Sequence, residues 1–213
     1  MYRTLVAIVL SCVALPAMAA PVSFDESWET QRFSLFSSNT YGFNATSVSV
    51  ASDASVSLAY RELPESYWDA TQASWSWAVQ EGVPATDLRQ KGGDDRNLAL
   101  YFVFLPEGQA QALQGSSVRK LLTNDAARVL VYVWGGAHDR GAVLNSPYLG
   151  NRGQTIVLRS AGTGQARETV NLERDYENAF GGGGAALVGL ALSGDSDDTD
   201  SRIRASVSGL SVE

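Results

Sequence analysis

Alternation with a period of two residues dominates the chain, and helical periodicity is scarce. The cleanest stretch is 73–79, where Ala73, Trp75, Trp77 and Val79 point one way and Ser74, Ser76 and Ala78 the other. The same rhythm over Phe33–Leu35, Val48–Val50 and Val56–Tyr60 predicts strands with one buried face and one small or polar face. Two later segments break the alternation. Leu98 to Leu105 is apolar on both faces and Arg128 to Trp134 nearly so, which predicts central strands covered on each side by a helix, a loop or a ligand. With strands near 155–159, 167–171, 186–192 and 203–212, the total is about ten, spaced as in a sandwich or barrel. Helix is expected in part of Glu107–Leu122, which Gly115-Ser116-Ser117 interrupts. It is expected also over Glu173–Phe180, acidic at its start and stopped by Gly181 to Gly184. There is no repeat of fixed period and no Pro- or Ser-rich linker, so residues 20–213 are expected to form one β-sandwich domain.

The first nineteen residues read as an export signal. Arg3 is the positive start, Leu5 to Leu15 a short apolar stretch, and Pro16 followed by Ala17-Met18-Ala19 a cleavage pattern. The apolar stretch is too short to span a bilayer of ~30 Å, so no transmembrane segment is expected. Val9-Leu10-Ser11-Cys12 offers a rival reading, in which Cys12 would carry a lipid anchor. Under the first reading the mature chain is periplasmic or secreted, holds no Cys, and depends on its core alone.

Composition narrows the function more than it defines it. Hydrophobic residues make up 45% and charged ones 18%, which is globular rather than disordered. A net charge of -7, with Lys91 and Lys120 the only lysines, argues against nucleic acid, which needs a basic face. One Cys and one His exclude Cys/His zinc sites and disulfide scaffolds. Oligomeric state stays open.

Several constellations are candidates for chemistry. Asp195-Ser196-Asp197-Asp198-Thr199-Asp200 crowds carboxylates that repel unless solvent or a cation screens them, so Asp195, Asp197 and Asp198 are candidate calcium ligands; the alternative is a solvated turn. Lys91-Gly92-Gly93-Asp94-Asp95, at the entrance of the two-sided strand, places Asp94 and Asp95 at a sheet rim, where they could accept hydroxyl hydrogen bonds. The competing reading is a turn with Lys91 balancing one of them. Tyr101, Tyr132 and Trp134 lie on the two doubly apolar strands and are candidates for a sugar-stacking platform; the alternative is a second hydrophobic layer under residues 106–122. A glycosidase would need two carboxylates at a set separation, for instance Asp94 or Asp95 with one of the later aspartates. His138 has no Gly-x-Ser-x-Gly partner and reads as a loop residue.

The order of short motifs carries a resemblance. Trp75-Ser76-Trp77, Lys91 to Asp95, Val131-Tyr132-Val133-Trp134, Asn145-Ser146-Pro147-Tyr148, Val157-Leu158-Arg159-Ser160, Asp175-Tyr176 with Ala179-Phe180-Gly181, and Asp195 to Thr199 follow one another. Together they resemble the bacterial, exported domain-of-unknown-function family numbered 3047, from about Phe24 to the end. The resemblance implies no established activity and no catalytic residues. It does imply that 91–95, 145–148 and 195–199 recur as a set and share a site. The chain departs from the family pattern at Ser57-Leu58-Ala59-Tyr60 and at Gly93. By analogy alone the layout resembles galactose-binding-like jelly rolls, which commonly serve as carbohydrate-binding modules. The expectation is therefore an exported jelly-roll β-sandwich that recognises a carbohydrate or cell-envelope ligand without catalysis. A polysaccharide-acting enzyme and an assembly protein without small ligand are the alternatives.

Overall fold

The computed structural model describes residues 20–116, 120–121, 123–182 and 184–213. Residues 1–19, over which the export signal and the Cys12 anchor are expected, lie outside the described residues. Among those residues no helix is long and apolar enough to cross a membrane.

Two sheets form a sandwich of jelly-roll type. The six-stranded sheet runs β11(Gly164–Asn171), β6(Gln72–Glu81), β13(Arg202–Val212), β4(Ser47–Asp53), β3(Thr40–Asn44), with β1(Ala20–Pro21) also paired to β13. The seven-stranded sheet runs β2(Glu29–Arg32), β5(Ser57–Glu62), β12(Ala185–Asp195), β7(Arg96–Pro106), β8(Arg128–Trp134), β10(Gly150–Arg159), β9(Val143–Ser146). Pairing is antiparallel except for β8 with β10. Helix α1(Glu107–Leu113) follows β7, and α2(Leu172–Phe180) follows β11, where the Asn171 side chain accepts from Arg174 N–H and caps the first turn. The sequence alternation over 33–35 is not a strand: Phe33 and Leu35 lie in a bend and are 57% and 89% exposed. β3 and β9, short strands at the sheet edges, carry too little pattern to be read beforehand.

The main core lies between the sheets. Trp75 and Trp77 from β6 meet edge to face at 5.5 Å, and Trp75 also packs against Phe102 and Tyr132. Each is 1% exposed. A second, smaller core lies on the outer face of the seven-stranded sheet, where Ala99, Val103, Leu105, Val129, Val131 and Val133 meet Ala110 of α1 and Leu121. That accounts for the two doubly apolar strands: one face enters the sandwich, the other lies partly under the segment after β7.

An ion triad at the far edge ties the sheets together. Glu168 on β11, 3% exposed, accepts from Arg140 Nη2 at 2.8 Å and from Arg159 Nε at 2.9 Å. Burial would push this carboxyl up, but the hydrogen bonds from Arg140 and Arg159 outweigh it and hold Glu168 below its ordinary value. A depressed carboxylate stabilises the fold fully above its unfolded value and loses that contribution as the pH falls through the lower folded one. Glu168→Gln is therefore expected to cost about 2 kcal/mol in urea unfolding at pH 7. The deficit should shrink below about pH 4; a pH-independent deficit would show that packing, not charge, sets it.

Candidate functional site

The part of the outer face that α1 leaves uncovered is a cleft of about 440 Å³. Its floor is aliphatic, from Leu58 on β5, Val103 on β7, Val131 on β8 and Ala191 on β12. Leu121 and Leu149 flank it, and Tyr60, Tyr101 and Tyr148 supply rings along its walls. One end is polar: Asp94, Arg96, Ser193, Asp195, Asp197 and Asp198 line it there.

The polar end is built around a guanidinium that is largely but not wholly buried. Arg96 opens β7 with its side chain on the cleft face although simple alternation would give it the side of Phe102, because the pairing of β7 with β12 shifts register between Ala99 and Arg96. Its Nη1 donates to Asp94 Oδ2 at 2.8 Å and meets Asp195 Oδ2 at 3.1 Å, while its Nη2 donates to Tyr101 Oη at 2.9 Å. Tyr101 continues the chain to Ser193 Oγ at 3.1 Å. Asp94 also accepts from Tyr148 Oη at 3.1 Å, and the Lys91 ammonium sits 5.3 Å from the centre of the Tyr148 ring. Lys91 is thus a cation over an aromatic face; the partner of Asp94 is Arg96, not Lys91. Burial pushes the Asp195 carboxyl up to about 8; Arg96 opposes the shift, while Asp197 and Asp95 add to it.

Asp95 shapes the acidic loop rather than the cleft. It is fully buried and accepts from the Asp198 N–H at 3.3 Å, the Thr199 N–H at 2.8 Å and the Thr199 hydroxyl. The other end of the loop is pinned by Ser196, 0% exposed, whose hydroxyl bonds Ser52 Oγ at 2.7 Å. Loop 195–201 therefore has a fixed backbone, and Asp200 takes a left-handed φ of 48° to complete the turn. Asp95 lies beneath this loop and does not line the cleft, so it is not a rim group that accepts ligand hydroxyls, nor an acid or base within reach of one.

The aromatic platform needs a larger correction. Tyr132 and Trp134 are 0% and 4% exposed and lie in the main core, where Tyr132 packs tilted on Trp75 and edge to face with Phe102, and Trp134 edge to face with Trp77. The register explains it: Tyr101 pairs with Val131, and Tyr132 with Leu100. Residues directly opposite on paired strands share a face, so Tyr101 and Tyr132 point to opposite sides of the sheet. Tyr101 alone of the three reaches the cleft. The Tyr132 hydroxyl donates to Asp175 Oδ2 at 2.9 Å, which anchors α2.

Three segments that the resemblance grouped do meet. Lys91 and Asp94 contact Tyr148, and Asp95 holds Asp198 and Thr199. Sequence reasoning missed Arg96, Ser193 and the aliphatic floor. Arg96 carried a signal in hindsight, since an arginine directly after two aspartates at the mouth of a buried strand has those carboxylates within reach. His138 is not a free loop residue: its Nε2 faces Leu88 N–H at 3.2 Å and Asp87 Oδ1 at 3.1 Å, and it does not itself line the cleft.

Fold and site together define a jelly-roll β-sandwich with a cleft on the outer face of one sheet, apolar along its floor and carboxylate-rich at one end. The chain belongs to the family described as "Protein of unknown function (DUF3047)", whose model matches residues 26–211. No curated protein matches it. Among solved structures it is similar to the xyloglucanase domain of NopAA, a type three effector from Sinorhizobium fredii, in complex with cellobiose. That similarity has 12% identity and a TM-score of 0.47 over 93% of this chain and 99% of that one. It is similar also to a cellulase derived from Cel12A of Rhodothermus marinus, at 9% identity and TM-score 0.45 over 92% and 100% of the two chains. The family 11 xylanase from Neocallimastix patriciarum matches at 12% identity and TM-score 0.43 over 92% and 99%. At these identities the similarities have no bearing on activity.

Proposed function

We propose that this is an exported, noncatalytic binding protein that takes a carbohydrate or related cell-envelope ligand in the cleft over the seven-stranded sheet. One observation carries the reading: a cleft of about 440 Å³ joins an aliphatic floor to a polar end whose groups are already hydrogen-bonded in place. Ligand sites of this kind are largely preformed, mostly apolar, and supplied with a few fixed polar groups. A sugar ring presents C–H groups on one face and hydroxyls around its rim. The floor of Leu58, Val103 and Val131 suits the first, and Asp94, Tyr148 and Ser193 suit the second. The cleft ring best placed for contact is Tyr148, which is 55% exposed. Export rests on the leader pattern of residues 1–19.

Noncatalytic binding is favoured by how the carboxylates are engaged. Asp95 is committed to the acidic loop, and Asp94 is held between Arg96 and Tyr148. A glycan array probed with the wild type and with Tyr148→Ala tests the proposal. Because Tyr148 is exposed, the variant should fold, with a melting temperature lowered by no more than the lost hydroxyl bond to Asp94 explains. Its affinity for the array hits should fall roughly tenfold, as expected for losing a stacking ring with a hydrogen bond. Wild-type affinity in the variant would remove the cleft from the account. Release of products from a polysaccharide, abolished by Asp94→Asn, would replace binding with the enzymatic alternative.

A further inference from the structure

The polar end of the cleft holds more negative charge than the fold neutralises. Asp94, Asp195, Asp197 and Asp198 line it, Asp95 lies beneath them, and the cation held among them is Arg96, which contacts Asp94 and Asp195. The Lys91 ammonium lies over the Tyr148 ring instead. Among the described residues, Asp197 and Asp198 therefore face one another and Asp95 without an ion pair to either. Like charges in one partly buried place raise the energy of the folded chain unless a proton or a metal ion relieves them.

The spacing suits a metal ion. Asp95, Asp197 and Asp198 each offer a carboxylate oxygen, and these oxygens lie within 4.8 Å of one another. That is within reach of two ligands on one ion, because Ca²⁺–oxygen distances run roughly 2.3–2.6 Å. A second observation points the same way. Asp195 is 6% exposed, and while its Oδ2 meets Arg96 at 3.1 Å, its Oδ1 is buried with no hydrogen-bond partner. A buried carboxylate oxygen with nothing to accept from is costly. Asp195 is outside the three carboxylates that lie within 4.8 Å of one another, but it adjoins them, since the Asp197 and Asp95 carboxyls act on it directly. The backbone beneath is already set, because Asp95 fixes the Asp198 and Thr199 amides and Ser196 is pinned by Ser52. Asp95 Oδ2 accepts both Thr199 bonds, while Oδ1 accepts from the Asp198 N–H alone and keeps a further lone pair.

We infer that Asp195 Oδ1, Asp197 and Asp198, arranged around Asp95, form a binding site for one divalent hard cation at the polar end of the cleft. Ca²⁺ fits better than Mg²⁺. It accepts crowded, irregular oxygen ligands and gives up water readily, whereas Mg²⁺ demands a regular octahedron and retains its waters. Ligands from a single acidic loop plus one residue from a neighbouring strand entrance give an irregular set. The site does not depend on the glycan reading and would stand if the cleft took a different ligand.

Calorimetric titration of CaCl₂ into the full chain stripped with EGTA tests the inference, alongside melting curves with and without the metal. The expected result is one Ca²⁺ per chain and a melting temperature that rises with CaCl₂ concentration. Asp197 and Asp198 are exposed, so Asp197→Asn and Asp198→Asn should fold. Each should weaken Ca²⁺ binding roughly tenfold or more, in line with the loss of one group from a metal site. In EGTA each should melt no lower than the wild type, because a repelling charge has gone. Neither heat nor a melting shift with millimolar Ca²⁺ would overturn the site. Ca²⁺ binding that both variants retain at wild-type strength would place the ion elsewhere and overturn it equally. Binding of Mg²⁺ in preference to Ca²⁺ would overturn the choice of ion. Loss of array binding in Tyr148→Ala with Ca²⁺ titration unchanged would show that the two proposals stand separately.

Discussion

Trp134→Ala is expected to lower the unfolding free energy by about 3–5 kcal/mol and the melting temperature by on the order of 10 °C. Any fall in ligand affinity should be no greater than the lost folded fraction explains. The ring is 4% exposed, stands 5.6 Å from the Trp77 ring, and is covered on its other side by the Arg159 guanidinium at 5.9 Å. Removing it leaves a cavity in a close-packed layer, where surrounding side chains relax only in part. Urea unfolding at 25 °C measures the loss. A variant with wild-type stability but no ligand binding would mean that this ring faces a ligand and that the register of β7 on β8 is wrong by one residue.

The second large effect is expected at Arg96. Replacement by Met keeps much of the aliphatic stem but leaves Asp94 and Asp195 facing each other, 3% and 6% exposed, without the shared guanidinium. Breaking a buried charge arrangement by removing one partner typically costs about 3–5 kcal/mol. Tyr101 would lose its donor as well. The sharper comparison is with a triple variant, Asp94→Asn with Arg96→Met and Asp195→Asn, which removes the charges together. The triple variant should be more stable than Arg96→Met alone, because most of the single-variant cost is the stranded carboxylates. If the triple variant is less stable than the single, the guanidinium contributes through packing and the polar end is not an electrostatic unit.

Much of the fold was legible in the chain because alternation is strong where one sheet face is buried. Trp75 and Trp77 against Ser74 and Ser76 admit one orientation, and they take it. The doubly apolar strands were legible as central but not in their facing. When both faces are apolar, the pattern that assigns a side chain to one side is absent, and a shift of one residue exchanges every ring. That is why the sequence alone does not separate Tyr101 from Tyr132 and Trp134, a separation that the pairing of Tyr101 with Val131 imposes. At the site, the convergence of 91–95, 145–148 and 195–199 came from the order of motifs. Individual roles did not: Asp95 reads like Asp94 in sequence, yet one is capped by the Thr199 amide and the other by Arg96 and Tyr148. The aliphatic floor draws single residues from four strands, a juxtaposition that only tertiary pairing creates.

The measurement that bears most directly on this account is chemical-shift mapping, with the strongest hit from the glycan array titrated into isotope-labelled protein. The account predicts that perturbed resonances gather at Tyr101, Val103, Val131, Tyr148 and Ser193, around the cleft of the seven-stranded sheet. Shifts confined to the serine-rich outer face of the six-stranded sheet, at Ser49, Ser76, Ser206 and Ser208, with the cleft residues unmoved, would contradict it.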